Sequence, residues 1–339
     1  MAMPRHLMLP RPLRIAALIL AALFVALAGL WGCLALFYQA PGGTVTAALW
    51  ALVSLAAFAL IVLRRRALQA ACLYAVLFAA LLFWWQTVLP SNDRNWADDV
   101  AEMTTGTVDG NSVVLANVRN FQWRSTTDYT PAWETRSYAL DQLTSVDLIL
   151  SYWSGPAIAH TLVSFGFADG QFVTFSVEIR KERTEAFSEI GGFFKEFETS
   201  VVAADERDIV FLRTNIRKED VYLYRIRMPA AAVRSLFLAY VEEANGLAKE
   251  PRFYHTVTAN CTTIVYKMMN RIVEGLPLDY RLLFSGYLPA YIAEVGGFTP
   301  GVSLEELKRR GAISGRGQEA GNDPDFSRLV RKGIPGIGD

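Results

Sequence analysis

Three long apolar stretches dominate residues 1–90. They cover residues 15–37, 44–63 and 67–89, and none of them contains a charged side chain. Each provides the roughly 20 apolar residues that a helix needs to cross a lipid bilayer. Only a few residues separate one stretch from the next, so the pattern predicts a group of three transmembrane helices. Since the stretches hold no ionisable group, they favour a membrane anchor over a transport pathway.

Beyond residue 90 the apolar runs become shorter and indicate a mixed α+β domain. Apolar residues at 173, 175, 177 and 179 alternate with their neighbours, which predicts a half-buried strand at 171–180, and residues 158–167 supply a second strand of the same hairpin. Further predicted elements are strands at 111–117, 209–213 and 221–227, and helices at 229–248, 260–273 and 304–310. The sequence therefore predicts a folded domain at 91–300. The Gly- and Arg-rich segment 301–339 is expected to be a loosely structured tail.

Charge is distributed unevenly along the chain. Six basic residues precede the first carboxylate, Asp93; Arg5 and Arg11 are among those before the first span, and three arginines at 64–66 separate the second span from the third. The positive-inside rule therefore predicts a cytoplasmic N-terminus and places everything after residue 89 on the outer side of the membrane. Removing those six from the 33 basic residues leaves 27 against 33 acidic ones, a net charge of −6. This balance argues against a nucleic-acid-binding surface.

Cys261 is the one cysteine predicted to lie outside the membrane, because Cys33 and Cys72 fall within spans. Asn260 is a favourable N-cap residue, so the thiol of Cys261 should lie in the first turn of a helix. The helix dipole and the free N–H groups at that position lower the pKa of a thiol and favour a nucleophilic thiolate. The alternative is that Cys261 has no catalytic role and is simply a small buried residue that follows a capping Asn.

A base for this thiol must come from His160 or His255, since the third histidine lies in the N-terminal segment. We favour His160, which lies on a predicted strand, over His255 in the connector before the Cys261 helix. So few histidines leave no dense ligand set, and we expect neither a metal nor a cofactor.

The loop of the hairpin decides whether His160 has a carboxylate partner. A three-residue loop at 168–170, with Gly170 in a left-handed conformation, would set His160 opposite Glu178. A two-residue turn would pair His160 with Ile179 and move Glu178 to the other face of the sheet. We favour the three-residue loop, because directly opposed side chains are close enough for the carboxylate to hold the imidazole.

Six short segments carry a family resemblance: His160-Thr161, SFGFADG at 164–170, SVEIR at 176–180, ADERD at 204–208, RTN at 213–215 and ANCTT at 259–263. Together they resemble the N-terminal periplasmic domain of the Lnb-type lipoprotein N-acyltransferase family. The resemblance implies that the domain after the spans is periplasmic, on a bacterial inner membrane. The resemblance implies a circularly permuted papain-like (NlpC/P60-like) fold, in which the His strand precedes the Cys helix. It also implies Cys261 as nucleophile, His160 as its base and Glu178 as the third member. Residues expected to lie near this site are Tyr152, Trp153, Ser176, His255, Asn260 and Thr262.

The activity that the resemblance implies is acyl transfer. Cys261 would take a fatty acyl chain from a phospholipid as a thioester and pass it to the N-terminal amine of a lipoprotein. The expected partners are therefore a phospholipid donor, a lipoprotein acceptor and the membrane. Two alternatives stay open: a cysteine peptidase or amidase acting on peptidoglycan or envelope peptides, and a non-catalytic envelope scaffold.

Overall fold

The computed structural model describes residues 10–273 and 275–338. Arg5, one of the basic residues from which a cytoplasmic N-terminus is predicted, lies outside this range. Among the described residues the chain forms two compact units: residues 10–90 with 190–196, and residues 91–189 with 197–338.

The first unit contains three helices that are long and apolar enough to cross a membrane. They are α1 (Arg11–Gln39), α2 (Gly43–Val62) and α3 (Ala67–Thr87). Small residues allow close packing on α1: a side chain at Gly32 would come within 2.3 Å of the Trp50 indole nitrogen, and one at Gly29 within 3.0 Å of Ser54. Such contacts between small and larger residues are typical of packed transmembrane helices.

The segment Ile190–Glu196 belongs to the same unit. Phe194 stacks on Tyr38 with ring centroids 5.9 Å apart, and Lys195 Nζ donates to the backbone oxygens of Trp85 (2.8 Å) and Val88 (3.0 Å). This segment therefore contacts the C-terminal ends of α1 and α3.

The second unit is built on an eight-stranded sheet. The strands are β1 (Thr105–Asp109), β2 (Ser112–Arg119), β5 (Trp133–Ala139), β6 (Leu143–Tyr152), β7 (Ala159–Phe167), β8 (Phe172–Arg180), β9 (Glu198–Ala204) and β10 (Asp220–Arg225), and a separate small ribbon is formed by β3 (Gln122–Trp123) and β4 (Tyr129–Thr130). The strand order is β1-β2-β9-β8-β7-β6-β10, with β5 also paired to β2. All of the pairs are antiparallel except the short contact of β2 with β9.

Helices cover both faces of this sheet. The remaining helices are α4 (Glu206–Phe211), α5 (Ala230–Lys249), α6 (Cys261–Ile272), α7 (Leu288–Glu294), α8 (Leu304–Gly311), α9 (Ser314–Ala320) and α10 (Phe326–Leu329). Phe165 and Phe175 pack against Phe237 of α5 and, with Met268 of α6, form the core on one face. Leu162 on the other face belongs to a core shared with α4 and α10. The prediction of a mixed α+β domain is confirmed.

Two predictions about secondary structure are wrong. Residues 209–213 do not form a strand, because Asp205 caps a helix by accepting a hydrogen bond from the Arg207 N–H at 2.9 Å, and α4 continues into a wider helical turn at Leu212–Ile216.

The expected loose tail is the second error. Up to residue 338, the segment predicted as a tail at 301–339 contains three helices, and its side chains Phe326, Val330 and Arg331 are buried. These side chains fill the core on the α4 side of the sheet, so the segment is part of the domain rather than an appendage.

Candidate active site

Cys261 is the first residue of α6, directly after its cap. The Asn260 side chain accepts hydrogen bonds from the N–H groups of Thr262 (3.0 Å) and Thr263 (2.8 Å), and the Thr263 hydroxyl accepts one from the Asn260 N–H at 2.9 Å. This reciprocal capping box satisfies N–H groups that the helix itself leaves without a partner. The predicted N-cap is confirmed, and the thiol lies at the positive end of the helix dipole.

The hairpin that carries His160 has the three-residue loop. The N–H of Phe167 bonds to the carbonyl of Gln171 at 2.9 Å, and Gly170 has φ +86°, a left-handed conformation that favours glycine. Leu162 pairs with Ser176, a register that brings His160 level with Glu178. The choice of the longer loop is thus confirmed.

The imidazole of His160 is held from one side by two neighbours on β8. Its Nε2 lies 2.7 Å from Ser176 Oγ and 3.1 Å from Glu178 Oε1, and the Ser176 hydroxyl donates to the same carboxylate oxygen at 2.7 Å. Since Nε2 is engaged in this way, Nδ1 is the ring nitrogen left to exchange a proton with Cys261. The imidazole also lies close enough to the Cys261 thiol to lower its pKa. The structure therefore brings together the three residues expected to form the site.

The electrostatics of the trio favour charge separation. Burial favours the neutral thiol, but hydrogen bonding to His160, the charge of that ring and the Thr161 N–H lower the pKa of Cys261. Burial likewise opposes a charged imidazole, but the Glu178 carboxylate raises the pKa of His160 to about 9. Burial of Glu178 is outweighed by His160 and Arg213, which keep the pKa of this carboxyl well below its usual value. The lowered pKa of the thiol and the raised pKa of the imidazole both favour a thiolate–imidazolium pair beside a carboxylate.

Arg213 is a member of this cluster that the sequence did not predict as a site residue. Its Nη2 lies 3.4 Å from Glu178 Oε1, and its Nη1 lies 3.5 Å from Glu219 Oε2. Glu219 in turn accepts a hydrogen bond from Ser151, which pairs with His160 across β6 and β7. Because residues 209–213 were predicted to form a strand, Arg213 was not recognised as a site residue. The available signal was Asp205 followed by acidic residues, which is typical of a helix start.

The other residues expected near the site have different positions. Thr262 Oγ1 lies 3.9 Å from Cys261 Sγ, so it is a direct neighbour. Tyr152 and Trp153 line a polar cavity of about 560 Å³. The Tyr152 hydroxyl donates to the Gly286 carbonyl at 2.7 Å. His255 Nδ1 accepts from the backbone N–H groups of a local turn at 257 and 258, both at 3.3 Å, which favours a structural role for this histidine.

Replacing Glu178 with glutamine should slow alkylation of Cys261 at neutral pH. Without the carboxylate the pKa of His160 falls, the imidazolium is lost and the thiolate loses its counter-ion. The pKa of Cys261 then rises toward its usual value of 9.0. Each unit lowers the thiolate fraction about tenfold, and the higher nucleophilicity of a more basic thiolate offsets part of this, so the rate should fall about threefold per unit.

The measurement is the rate of iodoacetamide modification of Cys261 in the full-length protein as a function of pH, followed by peptide mass spectrometry. The curve for Glu178→Gln should shift to higher pH. Glu182→Gln removes a carboxylate just beyond β8 that pairs with Arg94, and it should retain the wild-type curve. A Glu178→Gln curve that overlays the wild type would mean that the carboxylate does not tune the thiol.

Part of the chain matches a known protein family. Residues 129–286 match a family model described as the Lnb N-terminal periplasmic domain. The matched segment contains Cys261, His160 and Glu178, together with Arg213. No curated protein and no solved structure matches the chain.

Proposed function

We propose that this protein is an inner-membrane enzyme that modifies lipoproteins by acyl transfer through Cys261, since residues 129–286 match the model of the Lnb N-terminal periplasmic domain family. The observation that carries the proposal is the pairing of the Cys261 thiol with His160, which is held in turn by Ser176 and Glu178. A thiolate with an oriented acid–base partner is the arrangement needed to attack an acyl carbon.

In the first half-reaction, the Cys261 thiolate attacks the carbonyl carbon of a phospholipid acyl ester and forms a C–S bond. The positive end of α6 favours the oxyanion that results. Collapse of this intermediate breaks the ester C–O bond, and the imidazolium of His160 gives its proton to the departing glycerol oxygen. The products are an acyl thioester on Cys261, a lysophospholipid and neutral His160.

In the second half-reaction, the uncharged α-amino group of a diacylglyceryl-cysteine attacks the thioester carbonyl. Neutral His160 accepts the amine proton as the C–N bond forms, and the C–S bond breaks. This step releases the N-acylated lipoprotein and restores the thiolate–imidazolium pair. The raised pKa of His160, about 9, suits a group that must hold a proton at rest and regain one during aminolysis.

The three apolar helices support a lipid substrate. An anchor confines the search for two membrane-embedded substrates to the bilayer surface, which raises their effective concentration at the site. The order of a His strand followed by a Cys helix is also the order of a circularly permuted papain-like fold, and we include that fold in the proposal.

The proposal is tested by intact-mass analysis of the full-length protein after incubation with dipalmitoyl phospholipid vesicles. We expect a palmitoyl adduct on Cys261 that is absent from Cys261→Ser. Addition of a diacylated lipoprotein should discharge the adduct and add one acyl group to the lipoprotein N-terminus, as read by peptide mass spectrometry. An adduct that is lost to water, with an unchanged acyl count on the lipoprotein, would favour a hydrolase instead.

A further inference from the structure

An apolar cavity of about 260 Å³ runs along one side of α6. On the helix it is lined by Thr262, Val265, Met269 and Val273. These positions recur every three to four residues, so they form one stripe along the helix. At a rise of 1.5 Å per residue, the stripe from 262 to 273 is about 16 Å long.

The cavity begins beside the candidate nucleophile. Two of its lining residues, Thr161 and Thr262, directly follow His160 and Cys261 in the sequence. Their hydroxyl oxygens lie 3.3 Å apart, and Thr262 Oγ1 lies 3.9 Å from Cys261 Sγ. We call the Thr161–Thr262 end of the cavity its mouth. The mouth is therefore one residue along the chain from the sulfur to which an acyl group would be attached.

The walls of the cavity suit a hydrocarbon chain. Val146, Leu148 and Val163 of the sheet form the floor, and the segment 276–297 forms the cover. Arg227 supplies the one charged side chain among the described lining residues. A volume of about 260 Å³ holds roughly nine groups of the size of a water molecule, at about 30 Å³ each, and a methylene is of similar size.

The cover is apolar on its outer side as well. Leu278, Tyr280 and Phe284 are 84%, 62% and 46% exposed. One hydrogen bond holds the cover to α6: the Tyr266 hydroxyl donates to the Leu276 carbonyl at 2.9 Å. A second bond lies within the cover, where the Tyr291 hydroxyl donates to the Pro277 carbonyl at 2.9 Å. A segment that is apolar on both sides is compatible with a lipid chain passing beneath it from a lipid environment.

We propose that this cavity binds the acyl chain of the thioester on Cys261 and that its depth sets the chain length the protein prefers. The inference rests on the proposed function, since it concerns the same thioester. The acyl carbonyl lies at the sulfur, and the methylenes extend along the α6 stripe from Thr262 toward Val273. Val265 lies about one turn from the mouth and Met269 about two, so bulk at these positions should block chains at different lengths.

The experiment measures S-acylation of Cys261 in the full-length protein by nitrophenyl butyrate, octanoate and palmitate, using intact mass. Met269→Trp should lower the palmitate rate relative to butyrate by at least about tenfold, since each buried methylene contributes about fourfold to binding. Val265→Trp should lower the octanoate rate as well. Asn270→Trp places the same ring on the exposed side of α6 and should keep the wild-type ratios.

An unaltered butyrate rate shows that a variant has folded with an intact thiol. Where tryptophan at 269 reduces that rate too, Met269→Phe replaces it in the comparison. Wild-type ratios in both the 265 and the 269 variants would overturn the inference while leaving the acyl transfer proposal standing. The proposed function fails in a different way: the chain-length shift appears, but no acyl group reaches a lipoprotein.

Discussion

Replacing His160 with glutamine should slow formation of the Cys261 thioester by about 10³-fold. The substitution removes both the cation that stabilises the thiolate and the acid that protonates the leaving glycerol oxygen. Glutamine keeps a polar side chain beside Ser176 and Glu178, so we expect only a small part of the rate loss to come from altered packing. The rate is read from intact mass during incubation with dipalmitoyl phospholipid vesicles.

His255→Gln is the matched control, because His255 is the other described histidine and it precedes Cys261 by only six residues in the chain. Its ring accepts hydrogen bonds in a local turn, so this variant should acylate at close to the wild-type rate. If His255→Gln acylated slowly and His160→Gln acylated at the wild-type rate, the base would be His255 rather than His160.

Replacing Arg331 with methionine should lower the free energy of unfolding by about 3–5 kcal/mol. The guanidinium is only 4% exposed and bonds to Asp147 Oδ2 at 2.9 Å and to Glu206 Oε1 at 2.6 Å. It also lies 3.8 Å from the centre of the Phe172 ring. Methionine fills much of the same space but leaves Glu206 as a buried charge with only the Ser164 hydroxyl against it. Leaving a buried charge without its partner is far costlier than losing a surface pair.

The measurement is denaturant unfolding of the full-length protein in detergent, followed by tryptophan fluorescence. Arg328→Met removes an arginine from the same segment whose side chain is 66% exposed and pairs with Asp325. That change should leave the free energy of unfolding close to the wild-type value, because a solvent-exposed ion pair contributes little to stability. Equal stabilities for the two variants would contradict a supporting role for the buried pairs.

The parts of the site that could be predicted depend on local signals. Asn260 before an apolar helical run fixes the start of α6, and Gly170 after Ala168-Asp169 fixes the hairpin loop and hence the level of His160 with Glu178. Both signals act over a few residues, where turn and cap chemistry is specific. Uninterrupted apolar stretches of spanning length likewise made the three apolar helices predictable.

The parts that were missed depend on contacts between distant segments. Arg213 reaches Glu178 from a helical turn, and a short apolar run such as 209–213 does not by its pattern distinguish strand from helix. The composition after residue 301 suggested a loose segment, yet Phe326, Val330 and Ile334 recur at helical spacing and are buried. Their partners lie far away in the sequence, so only the folded chain reveals them. The cavity beside Cys261 also forms between elements that are far apart in sequence.

The buried ion pairs of Arg331 also impose an order on biogenesis. A periplasmic domain is exported from its N-terminal side, so Asp147, Glu206 and Cys261 leave the translocation channel before Arg331 does. Until then Glu206 lacks its cationic partner and the sheet lacks the apolar residues of α10. The domain should therefore remain sensitive to proteases throughout export. The thiolate would then form only after translocation, once the domain lies on the side of the membrane where we propose that its lipid substrates are found.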